Sequence, residues 1–308
     1  MYDIIVVGGG CAGYSAAMYA GRLNMKTLVL EGQRGGVLAL AGAIENYPGY
    51  NNIDGFELVE KMRNHALEYD IDIKGEFAKD VKKKGKNFVV KGSKSYEGKT
   101  VIFATGSEWR KLGVPGEEEL ATKGVHYCAL CDGPMYKGKT VAVVGGSDSA
   151  AKDALVLSEH ASHVYMIYRR EKIRPEPVNL ARVEEKIKKG KITIINNTNV
   201  KEIQGKDSVA SVVLDRTHKG KNDLKLDGVF IAIGHIPLSE LAKKIGVKAN
   251  KGGEIIINRK AETNVAGVFA AGDVADTHFK QAITGVAEAV LAAYGAFEYV
   301  SKQKVKAT

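Results

Sequence analysis

Residues 2–31 read YDIIVVGGGCAGYSAAMYAGRLNMKTLVLE. The first six, apolar but for Asp3, are rich in β-branched side chains, the pattern of a strand buried in a parallel sheet. A glycine turn follows, then a helical stretch, YSAAMYAGRL, then a second apolar strand that ends on Glu31. This is one strand–turn–helix–strand unit, and each glycine in it has its own task. Gly8 permits the tight turn, Gly10 lets a pyrophosphate approach the backbone, and Gly13 lets helix and strand pack closely. The helix start offers unpaired N–H groups and partial positive charge to phosphate. Glu31 stands where a carboxylate can accept hydrogen bonds from ribose hydroxyls. A dinucleotide site is expected.

The pattern returns at residues 139–170, KTVAVVGGSDSAAKDALVLSEHASHVYMIYRR. It reads as a strand over Thr140–Val144, a glycine turn, a helix and a strand over Val164–Tyr168. The fingerprint is a variant: Gly145 opens it, Ser147 takes the middle glycine's place, and Ser149 and Ala150 close it. No acid follows the second strand. Arg169, Arg170 and Arg174 do, and guanidinium forks suit the oxygens of a 2′-phosphate. NADPH is therefore expected ahead of NADH. Hairpin-rich blocks cover residues 75–107 and Ile192–Leu214. The chain closes with a strand over Gly267–Ala271, a Gly272-Asp273 turn and a long helix from about Gln281.

Glycine- and proline-containing linkers are read at Gly113–Glu118 and His235–Ser239. The second unit then lies inside the first domain. The expected class is α/β, with two Rossmann-like three-layer (ββα/βαβ) dinucleotide-binding domains, the second inserted into the first. The expected boundaries are 1–112 and 238–308 for the first dinucleotide-binding domain and 113–237 for the second, which carries the paired cysteines; the family resemblance given below implies FAD in the first and NAD(P)H in the second.

Of three cysteines, Cys11 lies in the first glycine turn, and Cys128 and Cys131 form a CxxC. Two thiols at that spacing can close a small disulfide, and the spacing favours the thiolate. Zinc would need two further ligands. No second CxxC and no HxxxH supplies them, so no metal is expected. Asp132 adjoins the pair and can carry a proton as thiolates form and leave. His126, two residues before the pair, could stabilise a thiolate, although a lone histidine is more often a bystander. Asp273 could bond a flavin ribityl or phosphate group. The helix opened by Lys280, Gln281 and Ala282 would favour negative charge on a reduced flavin.

The net charge of +9 comes from scattered lysines and reads first as a solvated surface, second as attraction for an acidic partner. The lysines are not interleaved with aromatic residues, so no nucleic-acid role is expected. The N-terminus lacks the basic start and cleavage site of a targeting peptide, and no stretch nears about 18 uninterrupted apolar residues. A soluble cytoplasmic chain with no membrane span is the expectation.

The whole set resembles the low-molecular-weight thioredoxin reductases over nearly the full chain. The likeness rests on GGGCAG at 8–13, Glu31, the double glycine at 35–36, IENYPGY at 44–50 and ATG at 104–106. It continues through CALCDG at 128–133, GGSDSA at 145–150, RRxxxR at 169–174, AIGHIP at 232–237, AAGDV at 270–274 and KQA at 280–282. The resemblance implies that Gly8, Gly10, Gly13, Glu31, Gly36, Asn46, Gly106, Asp273, Gln281 and Ala282 hold FAD. It implies that Gly145, Ser147, Ser149, Ala150 and the three arginines hold NADPH. Cys131 would face the flavin, and Cys128 would attack the disulfide of thioredoxin or a glutaredoxin-like small dithiol protein. Asp132 would be the acid/base. A homodimer and a rotating nucleotide domain are implied too. Ser147, Tyr168 in place of the usual histidine, and Val37 in place of a glutamine depart from the family pattern. The first two keep NADH, ferredoxin or a deazaflavin open as donors; a non-turnover redox sensor is a rival role.

Overall fold

The computed structural model describes residues 1–41 and 43–305, which form two compact units, residues 1–108 with those from 236 onward and residues 109–235. Unit 1 begins with β1 (Tyr2–Val7), α1 (Cys11–Arg22), β2 (Thr27–Leu30), α2 (Gly55–Leu67) and β3 (Ile71–Lys74). The antiparallel strands β4 (Asp80–Lys84) and β5 (Asn87–Lys91) follow, then β6 (Ser95–Phe103). The apolar run of β1 is central: Ile4, Ile5 and Val6 are fully buried. β1 pairs in parallel with β2 and β6, with Val6 opposite Val29 on one side and Ile102 on the other. β3 extends the sheet beyond β2.

Unit 2 contains β7 (Val125–His126), α3 (Ala129–Asp132), β8 (Thr140–Val144), α4 (Asp148–His160), β9 (His163–Ile167), α5 (Pro177–Lys188) and β10 (Ile192–Ile195). An antiparallel ribbon of β11 (Val200–Gly205), β12 (Val209–His218) and β13 (Lys221–Lys225) precedes β14 (Gly228–Ile231). The parallel sheet runs β10–β9–β8–β14–β7. Its order repeats the β3–β2–β1–β6 order of unit 1, because in both units a right-handed crossover returns each helix to the same side.

The chain re-enters unit 1 at Ile236 and adds β15 (Val268–Ala270), parallel to β6, and α6 (Ala282–Val305). A row of small residues on α6, Ala289, Ala292, Ala293 and Ala296, packs into one core cluster with Ala16, Ala17 and Ala20 of α1. Small side chains let the two helices approach closely. By length and composition α6 is, among the described residues, the one helix that could span a bilayer; its alanine row serves the core of unit 1. The crossings between units are tied within each unit. Leu238 N–H donates to Gly106 O at 3.0 Å in unit 1, and Arg110 N–H donates to Gly234 O at 2.9 Å in unit 2.

The two nucleotide folds, one set inside the other, are those expected from the repeated glycine turns. Element ends differ slightly. The second strand of unit 2 stops at Ile167, so Tyr168 is its first loop residue, as Glu31 is after β2. α6 starts at Ala282, where the Thr284 hydroxyl accepts the Gln281 N–H at 3.1 Å.

Candidate active site

Both glycine turns are built alike. Gly8 has φ +121° and Gly145 φ +151°. A Cβ on Gly8 would lie 2.1 Å from Ala104 O, and one on Gly145 would lie 2.2 Å from Ala232 O. The turn therefore admits only glycine at its first place. Gly13 fails differently: its Cβ would meet the Gly8 carbonyl at 2.0 Å, inside the helix–strand contact.

Gly10 shows neither constraint. Its φ is −97°, open to any residue, and the nearest atom to an added Cβ is 3.8 Å away. Nothing in the protein crowds that place, so the backbone there is open to close approach by a ligand above the turn. Gly10 also lacks a side chain to cap α1, so the first N–H groups of that helix are left for an acceptor from outside.

A cleft of about 610 Å³ opens over this turn, within the range of cofactor sites. Gly8, Gly10, Gly36, Gly106, Asp273, Gln281 and Ala282 line it, all within unit 1. Gly13, Glu31 and Asn46 do not line it. Gly13 is part of the packing below. Asn46 reaches the wall indirectly, since its Nδ2 donates to Gln281 Oε1 at 2.9 Å. Glu31 is buried, and its Oε2 accepts from the Tyr14 hydroxyl at 2.7 Å and from Arg63 Nε at 2.9 Å. A cleft of this size, floored by a glycine turn and a free helix start, fits a flavin dinucleotide. A buried Ser107 hydroxyl in its wall, with no partner among the described residues, adds an unmet polar group for such a ligand.

Side chains behind this wall complete it. Lys280 Nζ donates to Asp273 O at 3.0 Å and Ala275 O at 2.6 Å, and pairs with Glu254 at 3.0 Å. Glu288 on α6 accepts from Gly272 N–H at 3.0 Å and from the Thr277 hydroxyl. Together they hold the Gly272–Asp276 loop. Lys280 stands in the KQA stretch that the sequence singles out, but its carbonyl partners carry no side-chain pattern, and no motif spacing marks Glu288. Arg63 was equally invisible beside Glu31.

In unit 2, Ser147 precedes α4 with φ −84°, ψ −178°, close to Gly10 at φ −97°, ψ −172°. Serine is thus accommodated without strain, and its hydroxyl lies 3.4 Å from that of Ser149. Ala150 is fully buried beneath the turn. A Cβ on Gly146 would strike the Tyr168 ring at 2.5 Å, as one on Gly9 would strike Glu31 Cγ at 2.5 Å. Tyr168 thus occupies in unit 2 the place that Glu31 holds in unit 1. Arg169, Arg170 and Arg174 are exposed around this edge, and Arg174 N–H donates to Gly146 O at 2.8 Å. Asp148 braces their loop by accepting from Glu176 N–H at 2.9 Å and Asn179 Nδ2 at 2.8 Å.

Cys128 and Cys131 form a disulfide, with Cα atoms 5.4 Å apart. Cys128 caps α3, its Sγ accepting from Cys131 N–H at 3.2 Å. Cys131 is exposed and Cys128 half-buried. Asp132 is on the same turn, its Oδ2 3.0 Å from His126 Nδ1. The pair can accept two electrons and two protons and can exchange with an outside disulfide.

The family profile of pyridine nucleotide-disulphide oxidoreductases matches residues 2–289. The thioredoxin reductase of Bacillus subtilis (strain 168) is 40% identical over 98% of this chain and 96% of its own. That of Treponema pallidum (strain Nichols) is 40% identical over 97% of each. The crystal structure of Lactococcus lactis thioredoxin reductase superposes with a TM-score of 0.92 at 35% identity, over 98% of this chain and all of that one. That of T. acidophilum gives 0.91 at 35%, over 97% and 99%.

Proposed function

Since the chain belongs to the pyridine nucleotide-disulphide oxidoreductase family, we propose that it works as a thioredoxin-disulfide reductase with FAD as its flavin and NADPH as its donor. The net reaction is NADPH + H⁺ + protein disulfide giving NADP⁺ + protein dithiol. The observation that carries this reading is the Cys128–Cys131 disulfide beside Asp132, in a unit with its own nucleotide fingerprint.

Bound flavin supplies a two-electron carrier between nicotinamide and disulfide. The protein's residues do the rest. Gly10 and the start of α1 hold the pyrophosphate, Glu31 the ribose, and Asp273 and the Asn46–Gln281 pair the remaining polar groups. Arg169, Arg170 and Arg174 hold the 2′-phosphate, while Tyr168 offers a ring where NADH would want a carboxylate. Cys131 takes the flavin-side position, following the family pattern. Cys128 then attacks the disulfide of thioredoxin or a glutaredoxin-like protein, Cys131 resolves the mixed disulfide, and Asp132 carries the proton that the exchange moves. The reductase is cytoplasmic and homodimeric. The exposed Tyr19 of α1, Phe56 and Leu67 of α2, and Leu291 and Tyr294 of α6 supply apolar surface for the dimer contact.

Anaerobic titration of the flavin-loaded protein tests the donor. Bleaching by NADPH well ahead of NADH supports the arginine reading. Equal rates, or bleaching only by a ferredoxin or reduced deazaflavin, overturn it. Turnover of thioredoxin, followed with a thiol reagent, separates a reductase from a redox sensor.

A further inference from the structure

Behind the disulfide, unit 2 buries a line of polar groups. Asp132 Oδ2 lies 3.0 Å from His126 Nδ1, and His126 Nε2 lies 2.8 Å from the Tyr136 hydroxyl. The histidine side chain is only 6% exposed, against 32% for Asp132. Tyr136 is buried as well. The ring is clamped from three sides. It ends β7, in register with Phe230 of β14; it stacks on that phenyl ring at 5.2 Å; and it meets Tyr136 edge-on at 5.5 Å.

We propose that His126 is a positioning residue for Asp132, and that Asp132, His126 and Tyr136 form a proton-holding chain serving thiol–disulfide exchange at Cys128–Cys131. The proposal rests on the reading of Asp132 as the proton carrier. A buried imidazole is costly unless both nitrogens are satisfied, and here both are, in either charge state. Neutral, Nδ1–H donates to the carboxylate and Nε2 accepts from the phenol. Protonated, Nε2–H donates to the phenol oxygen instead. Only the phenolic hydrogen must turn.

Opening the disulfide consumes two electrons and two protons, and its re-formation on a partner's disulfide returns them. One of those protons passes through Asp132, and the imidazole can share it without any heavy atom moving. The other charged and titratable neighbours are few. Burial, together with Asp132 and Asp227, pushes the Tyr136 phenol up to about 12, so it keeps its proton at neutral pH. Lys139 Nζ lies 5.5 Å from the centre of the Tyr136 ring. Phe230 contributes no charge.

The sign of the effect follows from the carboxylate. With His126 donating to it, the negative charge of Asp132 is shared. Without that donor, the full charge faces the thiols and opposes thiolate formation. The test is the pH profile of iodoacetamide alkylation of the dithiol-reduced holoenzyme, in wild type, H126F, H126N and Y136F. H126F keeps the stack on Phe230 but has no ring nitrogen, and its midpoint should rise by about one pH unit. H126N keeps a donor near the Nδ1 position and should restore most of the wild-type profile. Y136F should move the midpoint the same way as H126F, by less. Flavin content reports unit 1 and should not change in any variant. An H126F profile that superimposes on wild type overturns the proposal. If H126F does not fold, an unshifted profile in Y136F does so. Alkylation needs neither nicotinamide nor thioredoxin, so a wild-type protein that cannot reduce thioredoxin sinks the functional reading through a separate measurement.

Discussion

At the scale of single residues, three neighbouring glycines make different demands, and substitution separates them. Gly10→Ala meets no protein atom closer than 3.8 Å and needs no unusual φ. It should therefore fold and melt like wild type but lose flavin on purification, read from the ratio of flavin to protein absorbance. Gly13→Ala forces a Cβ to within 2.0 Å of a backbone oxygen. It should lower stability by about 1–3 kcal/mol in chemical denaturation, even without flavin. The Glu31 carboxylate gives a second case. Arg63 pairs with it at 2.9 Å, where both side chains are largely buried. Arg63→Leu strands a buried charge and should cost about 3 kcal/mol in denaturant unfolding, more than Arg34→Leu, whose pair with Glu60 is half in water. Cys11 supplies a pH test. Burial first, then Asp273, pushes its thiol up to about 12. Raised values favour the neutral thiol, so Cys11 should resist alkylation at pH 8 and react only as the pH nears 12, read by peptide mass spectrometry. The task of Gly8 was legible in the sequence because it depends on local backbone. The Arg63–Glu31 pair was not, because α2 brings the arginine in from a part of the chain with no fixed spacing to the fingerprint.

At the scale of elements, the reading succeeded where period and glycine agree. β1 and β8 each carry an unbroken apolar run before a glycine turn, and both are central strands. Strand ends were less legible. Tyr168 is aromatic and follows four strand-forming residues, so pattern extends β9 through it; in the fold its ring folds over Gly146 and the strand stops one residue earlier. The brace between α4 and α5 was not legible at all, because Asp148 reads as an ordinary helix-start acid. Its Oδ1 accepts two hydrogen bonds from the α5 start, one from backbone and one from the buried Asn179. Asp148→Ala should therefore loosen the arginine-bearing loop. We expect KM for NADPH to rise about tenfold, the cost of one or two charge-assisted hydrogen bonds, while kcat changes little. A loss of kcat with unchanged KM would contradict the bracing role.

At the scale of the whole molecule, unit 2 is one continuous segment and unit 1 is two. The ends of unit 2 are held together by Arg110 N–H donating to Gly234 O. An excised fragment of residues 109–235 should therefore fold, melt cooperatively and form the Cys128–Cys131 disulfide, yet carry no flavin colour. A fragment without a melting transition would show that unit 2 depends on its host. The nested arrangement was legible because each glycine turn announced its own nucleotide fold and glycine- and proline-containing linkers flank the second. The pairing of the two ends also fixes a timetable for synthesis. β15 must slot beside β6, and the alanine row of α6 must meet α1, before unit 1 has its core. On the ribosome, the first 108 residues wait for the last stretch to emerge, roughly 10–40 s at ordinary elongation rates. The middle of the protein is finished before its beginning, and the nascent N-terminal sheet, apolar and one neighbour short, is the segment a chaperone would have to guard.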